Sequence, residues 1–341
     1  MQQDLKNLTV IELQSILKGW GAPGYNAKQI FNWIYKKGAG DFSVMSDLPV
    51  GLRKHLEEDF FILGSRIAKQ QDSIDGTQKF LIRLSDANLI EAVIIPAEGR
   101  VTGCISSQVG CKYNCTFCAS GQAGFKRNLT SGEILEEILL LSYAKKLTHI
   151  VFMGTGEPLD NYDEVLRAIR VINSPDGIGI GARRITISTC GVIPAIDKLA
   201  QEKLQIELSI SLHAANDLIR SQIMPVNIKY PLKALMAACQ DYIKNTDRQI
   251  TFEYVLIKGL NSDLQSVKDL AKILKPLRLA KVNLIPSNSI KEMNVQPPGK
   301  LEVLYFKDYL IKQGLQVTLR KSRGQDIDAA CGQLRLKYEN K

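Results

Sequence analysis

Three cysteines lie in the run Cys111-Lys-Tyr-Asn-Cys115-Thr-Phe-Cys118, a C-x3-C-x2-C spacing with no fourth cysteine close enough to complete a local set. Three thiolates can hold three corners of a four-iron cluster and leave the fourth iron open to a ligand. An open iron binds and activates what reaches it, whereas a closed cluster mainly carries electrons. Zinc is the alternative, and it needs a fourth ligand, normally from a second paired motif. For that the chain offers only isolated candidates: Cys104, Cys190, Cys239, Cys331, His55, His149 and His213. Downstream stands Gly154-Thr155-Gly156-Glu157-Pro158. Its glycines let backbone approach a ligand, and its carboxylate can pair with an ammonium group.

These residues need elements to position them. From about residue 101 apolar runs alternate with helical patterns. Strands are expected over 103–107, 149–153, 184–189, 205–212, 251–257, 281–285 and 316–320. Helices are expected over 131–146, 162–172, 194–201, 231–246, 262–274 and 301–313. Thr130-Ser131-Gly132-Glu133 fits the capping box that opens a helix. Such alternation predicts an α/β fold, a partial (β/α)6 TIM-like barrel, with an open doubly wound sheet as the competing topology. Polar residues and glycines follow the strands at 154–157, 188–191, 211–213 and 286–288. In a barrel these ends converge on the rim where active sites are built. Upstream, residues 77–84 and 89–95 alternate like the arms of a β-hairpin, and the first sixty residues read as a small helical domain with basic helix ends.

Composition narrows the setting. At 341 residues and 45% hydrophobic content the chain can bury a large core, which excludes a mainly disordered protein. No run approaches the ~20 apolar residues needed to cross a bilayer, and the polar start lacks a secretion signal. The expected setting is the cytoplasm, where clustered thiols read as metal ligands or redox groups rather than disulfides. Lys and Arg (44) exceed Asp and Glu (35) by nine. That surplus suits a polyanionic partner, though a basic surface alone does not require one.

The cysteine loop, with aromatic Phe117 before its last cysteine, resembles the signature of the radical S-adenosylmethionine (SAM) superfamily. The resemblance implies a 4Fe-4S cluster on Cys111, Cys115 and Cys118, with the amino and carboxylate groups of SAM on the open iron. Cys104-Ile-Ser-Ser-Gln-Val-Gly-Cys111, the runs 121–130 and 326–334, Ile185-Thr-Ile-Ser-Thr189, Ser211-Leu-His213 and Asn283-Leu-Ile-Pro286 narrow it further. They are similar to the RNA adenine methyltransferases of the RlmN/Cfr family, over nearly the whole chain.

That similarity implies a two-SAM chemistry. One SAM methylates a cysteine, matched by Cys331; a second supplies the radical that activates this methyl group for attack on an adenine ring carbon. Glu91 matches the proton acceptor, and Cys104 the resolving cysteine that closes a transient disulfide with Cys331. Gly156, Glu157, Ser188, Ser211, Leu212, His213 and Asn288 match SAM contacts. Thr155 departs from the methionine the family commonly has there. Cys190 and Cys239 match no functional position and read as packing residues. The implied substrate is C2 of an adenosine in 23S rRNA and in some tRNAs, with a flavodoxin-type electron donor and a monomeric chain. The alternatives are C8 methylation of rRNA, as in the Cfr branch, or a non-catalytic iron–sulfur RNA-binding protein. The implied organisation is a helical accessory RNA-binding domain over 1–65, a β-hairpin linker carrying the base over 66–100, and the barrel with a C-terminal cysteine loop over 101–341. Lys126-Arg127, Arg183-Arg184, Lys321-Ser-Arg323 and Arg335-Leu-Lys337 are candidate phosphate contacts.

Overall fold

Strand runs that alternate apolar and polar residues become a sheet with two chemically different faces. In the computed structural model, which describes residues 2–122, 124–287, 296–320, 323–324, 326–328 and 333–339, that sheet has ten strands. They are β1 (Arg66–Asp72), β2 (Gln78–Arg83), β3 (Leu89–Ala97), β4 (Arg100–Ile105), β5 (His149–Phe152), β6 (Ile185–Thr189), β7 (Glu207–Ser211), β8 (Ile250–Leu256), β9 (Ala280–Pro286) and β10 (Gln316–Leu319). Spatial order follows chain order from β1 to β10. Strands β4 to β10 run parallel, as the barrel reading requires. The expected hairpin is β2 and β3, and it continues the barrel sheet through antiparallel pairing of β3 with β4. Strand β1 extends it by one more antiparallel strand.

One face of the parallel strands is apolar. Ile187, Leu208, Ile210, Phe252, Tyr254, Val282 and Leu284 are all buried to 1% exposure or less. Helices Tyr162–Asn173, Leu232–Thr246, Leu264–Leu274 and Lys300–Lys312 supply residues to the same apolar cluster. Each such large side chain contributes about 1.5–3 kcal/mol. The other face is polar. Register aligns Ser188, Ser209, Thr251 and Lys281 in one cross-strand row, and Ser211, Glu253, Asn283 and Thr318 in the next. A closed barrel of this class packs its interior with branched apolar side chains. Here a cavity of about 680 Å³, lined among others by Thr102, His149, Ser209, Thr251, Glu253 and Asn283, occupies that position.

Helices α1 (Val10–Gly19), α2 (Asn26–Tyr35) and α3 (Val50–Asp59) precede the sheet. Their buried Leu13, Leu17, Ile30 and Ile34 join one continuous core with Leu135 and Ile138 of α4 (Ser131–Ala144). The predicted capping box opens α4, with Thr130 Oγ1 accepting from the Glu133 N–H and Glu133 accepting from the Thr130 N–H. Because α4 is sandwiched, Glu136 and Glu137 are buried despite interrupting its apolar run. Glu136 accepts the Gly64 and Ser65 N–H groups and lies 3.4 Å from the Lys6 ammonium. Glu137 accepts the Ser106 N–H at the end of β4.

Candidate active site at the carboxyl ends of the strands

The cysteine loop is bracketed by the short antiparallel ladder of Gln108–Gly110 with Phe125–Asn128. Backbone bonds fold it tightly: Cys111 N–H donates to Gly124, Cys118 N–H to Cys115 and Gly121 N–H to Cys118. Thr116 N–H donates to the Ile223 carbonyl, anchoring the loop to helix Asp217–Ile223. All three cysteines are half-buried. Burial, reinforced by neighbouring Cys118, Glu157 and Asp160, pushes the Cys111 thiol up to about 12, and burial raises Cys115 as well. Such thiols ionise when a positively charged metal centre compensates them, which fits an iron–sulfur ligand set. Among the described residues no three His, Cys, Asp or Glu side chains converge on one ion. A cluster takes its thiolates at separate corners rather than at one point.

The loop after β5 is built against these cysteines. Gly156 has φ +105°, and a Cβ there would stand 2.6 Å from Gln108 Cβ, so only glycine fits. Glu157 is buried; its Oε1 accepts the Leu159 N–H at 3.0 Å and its Oε2 the Cys190 N–H at 2.7 Å. Burial raises its carboxyl above the ordinary range, opposed by those hydrogen bonds. The Thr189 hydroxyl and the Cys190 thiol also bond this carboxylate, and an ammonium would share its oxygens with them. Thr155, the departure from the family pattern, is buried and serves through its backbone, accepting from Ser107 and Gln108 N–H.

Sequence reasoning gave no role to Gln108, Asp160 or Arg220, yet they bind this rim together. Gln108 accepts the Glu157 N–H at 2.8 Å and donates to Asn128 and Asp160. Asp160 also receives Lys112 at 2.6 Å and the Tyr113 hydroxyl at 3.3 Å, both from the cysteine loop. Asn161 donates to the Ser107 and Leu129 carbonyls. The signal for Gln108 was its place in the motif before Cys111; its partners are remote in sequence.

Ser188 and Ser211 are half-buried on the polar face of β6 and β7. Leu212 and His213 follow, both buried. His213 adopts φ +57°, and its Nδ1 accepts the Val255 N–H at 3.1 Å, so the neutral ring carries its proton on Nε2. Burial lowers its pKa to about 3. The ring meets Phe117 of the cysteine loop edge-on at 4.8 Å, joining this strand end to the loop. Asn288 lies outside the described residues.

Glu91 and Cys104 come together on the sheet. Val93 pairs with Cys104 across β3 and β4, so Glu91, two residues before Val93, shares its face. Both Glu91 and Cys104 are buried. Lys79, on the same face of β2, places its ammonium 2.8 Å from Glu91 Oε2. Glu91 Oε1 accepts the Arg335 N–H at 2.7 Å, docking helix Gln333–Glu339 on this carboxylate. Cys331 lies outside the described residues.

Other candidates take structural positions. Cys239 is buried in helix Leu232–Thr246, and Cys190 is buried beside Glu157. Of the basic pairs, Arg127 is held by Glu133 and Asp86, and Arg335 is 2% exposed, so neither presents a free guanidinium to a phosphate. A groove of about 810 Å³ outside the barrel, lined by Leu232, Met236, Ile273 and Leu277, contains none of the site residues.

Comparison with known proteins agrees with this geometry. Residues 105–271 match the Radical SAM superfamily, and residues 3–62 match the ribosomal RNA large subunit methyltransferase N-terminal domain. The chain is 44% identical over 337 residues to a probable dual-specificity RNA methyltransferase RlmN of Thermoanaerobacter sp. (strain X514), covering 98% of each chain. A protein of the same description from Clostridium novyi (strain NT) is 43% identical over 339 residues, again covering 98% of each. The crystal structure of a radical SAM methyltransferase from Sphaerobacter thermophilus superposes with a TM-score of 0.92 at 41% identity, over 97% of this chain and 98% of that one. Enzymes of this kind use a 4Fe-4S cluster and two SAM molecules, and the half-buried thiols and the Glu157 loop fit both. The chain belongs to the RlmN family of dual-specificity RNA methyltransferases, within the radical SAM superfamily.

Proposed function

We propose that the chain methylates C2 of an adenosine in 23S rRNA and in some tRNAs, with Cys331 as methyl carrier, Glu91 as proton acceptor and Cys104 as resolving thiol. When bound, the cluster supplies an electron, and SAM supplies a methyl group in one encounter and a hydrogen-abstracting deoxyadenosyl group in another. Cys111, Cys115 and Cys118 would hold the cluster. Glu157, Ser188, Ser211, Leu212, His213 and Gly156 line the strand ends where SAM would lie, with Asn288 as a further contact. Glu91 would take the proton leaving the substituted ring carbon. Cys104 would then attack the Cys331 sulfur as a thiolate, so that the S–S bond forms while the bond from that sulfur to the methylene carbon breaks. The electron pair goes to the carbon, which takes a proton to become the methyl group of the released base.

The observation that carries this reading is the 2.7 Å hydrogen bond from the Arg335 N–H to Glu91. Glu91 shares a sheet face with Cys104, and the chain four residues after Cys331 in sequence reaches that carboxylate through Arg335, which supports this reading. The test is nucleoside mass spectrometry of RNA treated with cluster-loaded protein, SAM and a low-potential electron donor such as flavodoxin. The expected product is 2-methyladenosine; 8-methyladenosine alone would overturn the regiochemistry. Cys331→Ala should abolish turnover, and Cys104→Ala should trap protein covalently on RNA. Clean product release from the Cys104 variant would remove its resolving role.

A further inference from the structure

Arg220 is completely buried, and its guanidinium is spent on the backbone of the active-site rim. Its Nε donates to the Leu212 carbonyl at 3.1 Å, and its Nη2 to those of Cys190 at 2.8 Å and Ser211 at 3.2 Å. Its Nη1 donates to Asn227 Oδ1 at 2.8 Å. Among the described residues no carboxylate lies within ion-pair distance. Exposed Asp217 is met only at one remove, through the Asn227 amide that donates to Asp217 Oδ1 at 2.9 Å. A buried cation without an anion is strongly unfavourable, so this arrangement calls for a negative group at the rim. The helix of Arg220 is tied to the cysteine loop by the Thr116 N–H on the Ile223 carbonyl, and His213, next to the Leu212 carbonyl that Arg220 holds, meets Phe117 of that loop at 4.8 Å. Its charge acts on Cys115, Cys190, Cys239, Asp217 and His213. Of these, only Cys115 belongs to the C-x3-C-x2-C loop.

We propose that Arg220 is the fixed counter-cation of the iron–sulfur centre, a positioning residue whose charge favours the reduced state of a cluster held by Cys111, Cys115 and Cys118. The inference rests on those three cysteines being the ligands. A four-iron core with three thiolates is an anion, and the electron it takes from a low-potential one-electron donor makes it more negative. No bond and no proton moves at Arg220 in that step. A cation held away from solvent and salt acts on the added charge unscreened. Arginine suits the place because its planar fork reaches three carbonyls at once and stays charged. Gly191, at φ +106°, lets the chain turn over it, with a Cβ there standing 3.6 Å from Nη2.

The test separates charge from clamping. Wild type, Arg220→Lys and Arg220→Gln are loaded with iron and sulfide anaerobically, their iron is counted, and the reduced cluster is followed by electron paramagnetic resonance against poised potential. At the wild-type midpoint, the reduced-to-oxidised ratio in Arg220→Gln should fall about tenfold, about 59 mV for a one-electron couple. Arg220→Lys should stay close to wild type. If the Gln variant cannot retain iron while the Lys variant can, the counter-charge is again supported. Equal shifts in both variants, loss of iron from both, or an unmoved potential in the Gln variant would overturn the proposal. Wild-type protein that takes up no iron would instead strike the ligand assignment beneath it.

Discussion

The buried pair of Lys79 and Glu91 offers the most exacting test of the site, because it joins stability and chemistry in two side chains. Their charged atoms stand 2.8 Å apart, with side chains 0% and 3% exposed. At that distance and an effective dielectric of ~20, the attraction is about 6 kcal/mol before desolvation is subtracted. Desolvation of two ions offsets much of this, yet removing one partner from such a pair costs roughly 3–5 kcal/mol. Against a whole-fold stability of about 5–15 kcal/mol, Lys79→Met should lower the urea midpoint visibly. Glu91→Gln keeps an oxygen for the Arg335 N–H and removes the charge. The double variant should therefore cost at least ~2 kcal/mol less than the sum of the singles, because no charge is then stranded. Costs additive within about 0.5 kcal/mol would refute the coupling. Turnover separates the second role. A folded Glu91→Gln protein should lose about 10²–10⁴ in rate if the carboxylate takes the proton, and full activity would sink that assignment.

Three further outcomes follow from the same geometry. Burial raises the Glu137 carboxyl well above its ordinary 4.5, and its Oε1 has no partner among the described residues. The unfolded chain releases this proton first. The associated stability is therefore full below about 4.5 and is lost as pH rises toward the raised value, and Glu137→Gln should flatten that alkaline slope. Melting temperatures from pH 5 to 9 with equal slopes in both proteins would contradict it. His213 runs the other way: with its pKa lowered to about 3 from 6.5, its contribution is complete above 6.5 and is lost as pH falls through that window. His213→Gln should soften the acid limb of a melting profile; an unchanged limb would count against a neutral buried ring. Gly156→Ala should weaken SAM binding more than tenfold by equilibrium dialysis. The added Cβ would stand 2.6 Å from Gln108 Cβ at φ +105°, a strain of about 1–3 kcal/mol beside the Glu157 N–H contact. Unchanged affinity would show that Gln108 can yield without disturbing the loop.

How much of this was legible in the sequence depended on how far apart the cooperating residues lie. The cysteine loop and the Gly154–Pro158 run are contiguous, so spacing alone exposed them. Strands β5 to β9 were legible because helices bury one of their faces, whereas β10, an edge strand with no buried residue, was legible only from its place after a helical run. Strand β1 (Arg66–Asp72) escaped notice because it is an edge strand with neither face fully buried, so nothing enforces a period of two. Glu136 and Glu137 read as breaks in an apolar run, since pattern reasoning assigns charges to solvent. Their acceptance of Gly64, Ser65 and Ser106 N–H groups needs three dimensions to see. Gln108, Asp160 and Arg220 were hidden for the same reason.

These hidden residues answer a problem that a polar barrel interior creates. A closed barrel gains rigidity from apolar layers packed at its centre, and here that space is a cavity bordered by Ser209, Glu253 and Asn283. Burial is concentrated on the outer face, where Ile187, Ile210, Phe252 and Leu284 meet the helices. The rim must be held some other way. It is held by polar side chains that bond the backbone of a neighbouring loop: Gln108 and Asn161 across the cysteine ladder, Glu157 across to Cys190, Arg220 across β6 and β7. Each bond contributes about 0.5–3 kcal/mol, too little to decide whether the chain folds but enough to decide where a ligand contact sits. Damage should therefore divide by location. Truncation at Ile210 or Phe252 opens a cavity costing roughly 2–5 kcal/mol and destabilises the whole fold without selectivity. Substitution at Gln108 or Arg220 should leave a folded barrel whose strand ends no longer present their groups together.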